Sequence, residues 1–301
     1  MSIEIKSDRN PYPNKSPFSG IGKSFRSKID SVKEYEILEE NEGTKDDYFY
    51  GMPFGLGYNE YLNAQKLKSS LITKYRDMEL SEAIKGNEAS GDLGSVFTIN
   101  EELKLGFKKF SREKAKEKML SELRLLYGIG DTKKKYLNSR GYQTIEDLIY
   151  HPAFSNDAKS LVDLINSMDS KRMMERISHW LSKSDELVYC CSGFHEKEDF
   201  LFFDIETLGL FNRPIILIGA AKFNGDDLSL NQYFLKDLNQ EPEALNQFLS
   251  QIGPKTVLVS YNGKSFDVPY IRERLSYYGM PHIKEMTHFD MLHFSRRAWR
   301  S

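Results

Sequence analysis

The stretch FLFFDIETLGLF, Phe200–Phe211, decides the fold. Four consecutive apolar residues, Phe200 to Phe203, read as a strand covered on both faces. Asp204 and Glu206 follow where that strand should end. Residues two apart on a strand share a side, so both carboxylates point the same way. Buried bare they would repel one another, and a divalent cation would relieve that repulsion. Oxygen-only ligands favour Mg²⁺ or Mn²⁺ over zinc, and no His or Cys lies close in sequence.

Downstream of this stretch the pattern alternates. PIILIGAAKF and LSLNQYFL read as two strands separated by the turn NGDD, and PEALNQFLSQI as a helix with Pro242 in its first turn. TVLVSY is a further buried strand, and VPYIRERLSYYG a helix ended by Gly279. Strand, strand, strand, helix, strand, helix predicts an α/β fold, a mixed sheet with helices on its faces. Asp267 stands just after the TVLVSY strand, at the start of a helix, where it can face Asp204 and Glu206. Asn262 and Gly263 form the intervening turn, and Phe266 anchors the helix against the sheet.

Upstream the composition is helical and basic. Between Lys104 and Arg140 stand twelve Lys or Arg and four Asp or Glu, a local charge of +8 in a chain whose net charge is -2. Within it, LLYGIGDTKKKYLNSRGYQTIEDL predicts a helix ending at Tyr127 and a tight turn at Gly128, Ile129 and Gly130. A second helix from Asp131 or Thr132 is closed by Gly141, and a third is capped by Thr144. The pattern resembles a helix-hairpin-helix module, whose Gly-hydrophobic-Gly turn offers backbone N–H groups to a phosphate. Lys133, Lys134 and Lys135 follow the turn and would add phosphate contacts. The same residues also suit a structural spacer with a solvated lysine face.

The whole chain, 301 residues with 42 basic and 44 acidic side chains, carries no bulk electrostatic pull toward nucleic acid or membrane. Residues 1–34, with Pro11, Pro13 and Pro17, read as a flexible tail. Residues 35–100 are mixed, with a helix over YNEYLNAQKLKSSLITKYRD and a short strand at Ser95–Ile99. Residues 101–187 form the helical region, in which Met173, Met174, His179 and Trp180 read as packing residues, and residues 195–301 form the sheet domain. Adjacent Cys190 and Cys191 make neither an ordinary disulfide nor a ligand pair, which points to a reducing, cytoplasmic setting. There is no apolar run of about 18 residues, so no membrane partner is expected.

FDIETLG resembles the first motif of the DEDD (DnaQ-like) 3′-to-5′ exonuclease superfamily, and YNGKSFDVPYIRERL its second. With the helix-hairpin-helix segment before them and HFDMLHFSRRAWR after, the pattern resembles the YprB-like ribonuclease H-like domain proteins from about Leu123 onward. The resemblance implies a ribonuclease H-like sheet and hydrolysis of DNA or RNA from the 3′ end. It also implies two Mg²⁺ or Mn²⁺ ions ~4 Å apart, held by Asp204, Glu206 and Asp267. Thr207 and Leu208 would lie beside the terminal nucleotide, with Asn262 and Lys264 as further nucleic-acid contacts; Arg272 and Arg274 suit phosphate contacts and equally an exposed face of an amphipathic helix. The sequence departs from the family in its third motif, His-x-x-x-Asp or Tyr-x-x-x-Asp, which does not follow Asp267. Asp290 is the one late acid near a motif-like context and enters as a further candidate ligand. RRAWRS reads as the middle of a basic helix, so the expectation is a chain truncated before the third motif. Three readings stand: a metal-dependent exonuclease impaired by its missing fourth carboxylate, a non-catalytic nucleic-acid-binding protein that uses the hairpin module beside a degenerate nuclease fold, or an interaction scaffold with neither role, which little in the sequence favours.

Overall fold

The computed structural model describes residues 58–209 and 211–299. The expected tail, residues 1–34, and residues 35–57 lie outside them. The chain divides into two compact units, residues 1–83 and 84–301. In the first, helix α1 (Tyr58–Tyr75) occupies the predicted helical stretch, and a single turn, α2 (Leu80–Ala83), follows.

The second unit is built on one seven-stranded sheet. Its strands are β1 (Asn87–Gly91), β2 (Gly94–Lys104), β3 (Phe200–Thr207), β4 (Ile215–Asn224), β5 (Asp227–Phe234), β6 (Val257–Ser260) and β7 (His288–Asp290). They lie in the order β1-β2-β5-β4-β3-β6-β7. Neighbours are antiparallel from β1 to β3, whereas β3, β6 and β7 run parallel. This is the mixed α/β sheet of the ribonuclease H-like class, widened at one edge by the hairpin β1–β2. The boundary expected between residues 100 and 101 falls inside β2, where Glu101 to Lys104 pair with Leu230 to Asp227.

Between β2 and β3 stand α3 (Arg112–Leu120), α4 (Asp131–Ser139), α5 (Ser155–Ser167), α6 (Ser170–Trp180) and α7 (Glu186–Cys190). After β5 come α8 (Glu241–Ser250), α9 (Asp267–Tyr277) and α10 (Leu292–Ala298). One predicted helix stops early, and another is a single 3₁₀ turn. No helix runs to Tyr127: α3 stops at Leu120, where Ser121 returns hydrogen bonds to Glu117 and Lys118, and a turn covers Leu123–Leu125. The backbone leaves the helix at Glu122 so that this carboxylate can meet both Arg124 and Lys134. Likewise Thr144 caps only the turn Asp147–Tyr150, because Pro152 disfavours helix at the residue before it.

The sheet has a core on each face, and strand parity sorts them. Leu201, Phe203 and Ile205 pack with Leu258, Phe248, Ile271 and Leu275 beneath α8 and α9. On the other face Phe200, Val257, Val259 and Phe289 pack with Met119, Leu161, Ile165, Met173 and Ile177 of the helical segment. Phe202, Asp204 and Glu206 follow Phe200 in alternation, so the acid pair projects from the face that the helical segment covers lower down.

Candidate active site

Asp204 pairs with Gly219 and Glu206 with Leu217 across the β3–β4 ladder, and both carboxylates are exposed. Immediately beyond, the register slips: Thr207 pairs with Ile215, leaving Ile216 as a bulge that ends regular pairing beside the acids. Gly219 leaves that face open, since a Cβ there would meet only the Asp204 carbonyl oxygen, at 3.8 Å.

Asp267 reaches the same strand from α9. Its Oδ1 accepts the Ile205 N–H at 3.1 Å, which holds the side chain between the two acid positions. Burial first, then the charge and hydrogen bonding of Asp204, raise its carboxyl to about 6. The turn that delivers Asp267 is tightly built. Asn262 takes φ +65°, Gly263 donates to Ser260 Oγ at 3.1 Å, and a Cβ on Gly263 would lie 2.3 Å from that oxygen. No side chain larger than hydrogen fits there.

Asp290 belongs to this turn and not to the acid face. It ends β7 opposite Ser260, with His288 opposite Leu258, so parity turns it toward the α8/α9 side. Its Oδ1 accepts the N–H of Asn262 (2.8 Å) and Leu292 (3.1 Å), and its Oδ2 that of Lys264 (3.1 Å). So engaged, this carboxylate braces the turn on the face opposite Asp204 and Glu206. The neighbouring His288 bonds Ser260 Oγ at 2.7 Å, and burial lowers its pKa to about 4.

Thr207 donates to the Gly209 carbonyl at 2.8 Å, and the exposed Leu208 donates its N–H to Pro214 at 3.1 Å. The Tyr270 hydroxyl lies 2.9 Å from the Gly209 carbonyl and 2.8 Å from that of Arg213, which ties this loop to α9. Lys264 is exposed at the turn. Arg274 is not available to a phosphate: it is buried in an ion pair with Glu241, at 2.7 and 2.5 Å, beneath the loop. Sequence reasoning missed Gly219 and Tyr270. A glycine interrupting the apolar run IILIGAAKF was the available signal for the first.

In the helical segment Gly128 takes φ +75°, Ile129 is buried, and Gly130 precedes α4 with an extended backbone. The N–H groups of Asp131, Thr132 and Lys133 have no intramolecular partner among the described residues. Lys133 lies 5.6 Å over the Phe154 ring with an exposed head. Lys134 departs from expectation, bonding both oxygens of Glu122 at 2.9 Å.

No three His, Cys, Asp or Glu side chains among the described residues stand close enough to enclose a metal ion. The donor chemistry nonetheless suits a hard divalent cation: two coupled carboxylates, Asp204 and Asp267, with Glu206 on the same face as Asp204. No described helix is long and apolar enough to cross a membrane.

Residues 201–301 match the model of the RNase_H superfamily. Uncharacterized protein YprB of Bacillus subtilis (strain 168) is 37% identical over 131 residues, covering 42% of this chain and 31% of that protein. A DNA polymerase of Pyrococcus glycovorans is 30% identical over 135 residues, covering 34% of this chain and 17% of that protein. The matches thus span about a third of one curated relative's length and a sixth of the other's. Over residues 201–301 the chain is similar to the RNase_H superfamily, and the described seven-stranded mixed sheet with its helices is ribonuclease H-like.

Proposed function

We propose that this chain is a nuclease that hydrolyses phosphodiester bonds of DNA or RNA from the 3′ end, with Asp204, Glu206 and Asp267 as its catalytic carboxylates. One observation carries the reading: an exposed acid pair on β3, beside an open glycine, is joined by a third acid that a tight turn brings to the Ile205 amide. The DNA polymerase among the relatives supports nucleic acid as the substrate class. Divalent cations held by these acids would supply Lewis acidity at the phosphoryl group and a water of lowered pKa.

The chain's own residues do the rest. The Ile205 amide fixes Asp267 Oδ1 and leaves Oδ2 for a ligand or a proton. Gly219 admits the phosphodiester next to Asp204. Leu208, on a loop that Tyr270 holds down, sits where the terminal nucleotide would end, and Asn262 and Lys264 border the turn. The amides after Gly130, with Gly128, Ile129 and Lys133, form a second nucleic-acid contact.

A second reading, a non-catalytic nucleic-acid-binding protein, is favoured by Asp290 facing away and by the absence of three gathered ligands among the described residues. Digestion of 5′-labelled single-stranded DNA and RNA with Mn²⁺, using this chain beside Asp204→Ala, separates the two. A ladder shortening from the 3′ end that the variant abolishes supports the nuclease. Identical lanes with retained binding support the second reading.

A further inference from the structure

Within the helical segment, α5 and α6 border a cleft of about 360 Å³. Ser160 and the buried Leu161 line it from α5, and Arg172, Glu175, Arg176 and His179 from α6. Spacings of three, four and seven set those four α6 residues on one face of the helix. Met173, Met174 and Ile177, on its other side, are buried in the core shared with the sheet.

The arginines of this cleft have no carboxylate partner. Arg124 and Arg274 are each fixed by an ion pair, whereas Arg172 and Arg176 make none among the described residues. Glu175 stands one turn from Arg172, near enough for a pair on a helix surface, and still pairs with neither arginine. Arg176 is half-buried and uses only its Nε, which donates to the Leu125 carbonyl at 3.1 Å. That bond orients the guanidinium and leaves both terminal nitrogens as donors. The Ser160 hydroxyl is likewise unpartnered among the described residues.

Two guanidinium forks, a hydroxyl and an imidazole therefore line one concavity. Such forks match phosphate oxygens two at a time, which a flexible ammonium does not. The volume lies toward the lower end for ligand clefts, and with Leu161 as an apolar wall it admits more than a bare ion. The carbonyl that Arg176 holds ends the turn Leu123–Leu125, which leads into the Gly128–Gly130 turn. Tyr127 in turn packs against Trp180, the last residue of α6, at 5.5 Å. The cleft thus borders the hairpin.

We propose that the α5–α6 cleft is a binding site for a phosphate group, with the Arg172 and Arg176 guanidiniums as its principal contacts and Ser160 and His179 as further donors. The group is carried either by a free nucleotide or by the backbone of a strand that reaches the cleft from the hairpin turn, and the recognition chemistry is the same for both. The site uses none of Asp204, Glu206 and Asp267, so it stands whether or not those acids cleave. Glu175 opposes the two forks, and its removal should strengthen binding.

Calorimetric titration of the full chain with adenosine 5′-monophosphate, with adenosine as the phosphate-free control, reads the free-nucleotide source. Fluorescence anisotropy of a labelled oligonucleotide over a salt series without divalent cations reads the backbone source. In the assay where the native chain binds through phosphate, Arg172→Ala should weaken binding on the order of tenfold, and Arg172→Lys should restore only part of that loss. Glu175→Gln should tighten it. For the backbone source, Arg172→Ala should also lower the salt slope by about one. Both side chains are exposed and unpaired, so neither change should move the urea midpoint. The site is overturned if adenosine binds as well as its monophosphate, or neither binds, while Arg172→Ala leaves oligonucleotide affinity and salt slope unchanged. Full recovery by Arg172→Lys also overturns it, because any surface charge would then serve. The Asp204→Ala digestion decides the nuclease reading separately.

Discussion

Gly263 and Gly219 are both glycines of the site, yet their surroundings differ in a way that separates stability from access. At Gly263 an added methyl would collide with Ser260 Oγ at 2.3 Å and Ser260 Cβ at 2.6 Å, and Ser260 is itself held by His288. Gly263→Ala should therefore shift the turn that carries Asp267 and cost about 1–3 kcal/mol, readable as a lower urea midpoint. At Gly219 the nearest atom is 3.8 Å away, so Gly219→Leu should leave the midpoint within about 0.5 kcal/mol of wild type. It should remove most cleavage by filling the open face beside Asp204. Metal binding tests the same residues without turnover. Mn²⁺ should raise the midpoint of thermal unfolding of the native chain, as any ligand of the folded state does, and Asp204→Asn or Asp267→Asn should abolish that rise. A rise that survives both variants would place the ion elsewhere. At this scale the sequence was informative about the acids, since spacing two on a strand sets a common face. It was silent about Asp290, whose direction depends on the parity of a three-residue strand that no local pattern announces.

The element that departs most from its sequence pattern is the turn between α3 and α4, and its electrostatics explain why. Burial raises the carboxyl of Glu122, but hydrogen bonds from Arg124, Lys134 and the Arg124 amide outweigh that effect and bring it down to about 2. Its side chain is 13% exposed, so the interaction is only partly screened. A carboxylate whose folded pKa lies below its unfolded value stabilises the fold above the unfolded pKa, and that stability is lost as pH falls through the folded one. The window here runs from about 4.5 down to about 2. Glu122→Gln should lose on the order of 2 kcal/mol at pH 6 and flatten the acid limb, so that the two chains converge by pH 2. Parallel acid limbs would sink this account. Reading helix starts and stops from the glycines was right for α4, which Gly130 and Gly141 bracket. It failed at Leu123–Leu125 and Asp147–Tyr150, where one ion-pair cluster and one proline limit the helix to a single turn.

At the scale of the whole second unit, residues that sequence reading divides between a hairpin region and a sheet domain share one core. Phe200, Val257, Val259 and Phe289 come from three strands, and Leu161, Ile165, Met173 and Ile177 from α5 and α6, yet they form one buried cluster. This union could not be read from local pattern. A buried strand shows an apolar run on both faces, and nothing in FLFF or TVLVSY says which element covers each face. The strand expected at Ser95–Ile99 lies within β2, but its partner β1 and its extension to Lys104 were hidden because they carry few apolar residues; Glu243, fully buried on α8, pins the hairpin by accepting the Leu93 N–H at 3.2 Å. A shared core makes a thermodynamic demand. Phe289 is 3% exposed on β7, and truncating such a side chain costs about 3–5 kcal/mol through lost transfer energy and the cavity left behind. If the helical segment and the sheet fold as one unit, Phe289→Ala should lower the protection of α5 amides and β4 amides by the same amount in native-state hydrogen exchange, with coincident unfolding by all probes. If instead only the strands lose protection while α5 and α6 keep theirs, the helices are an independent domain resting on the sheet. The acid face would then be free of the cover that places the helical segment beside it.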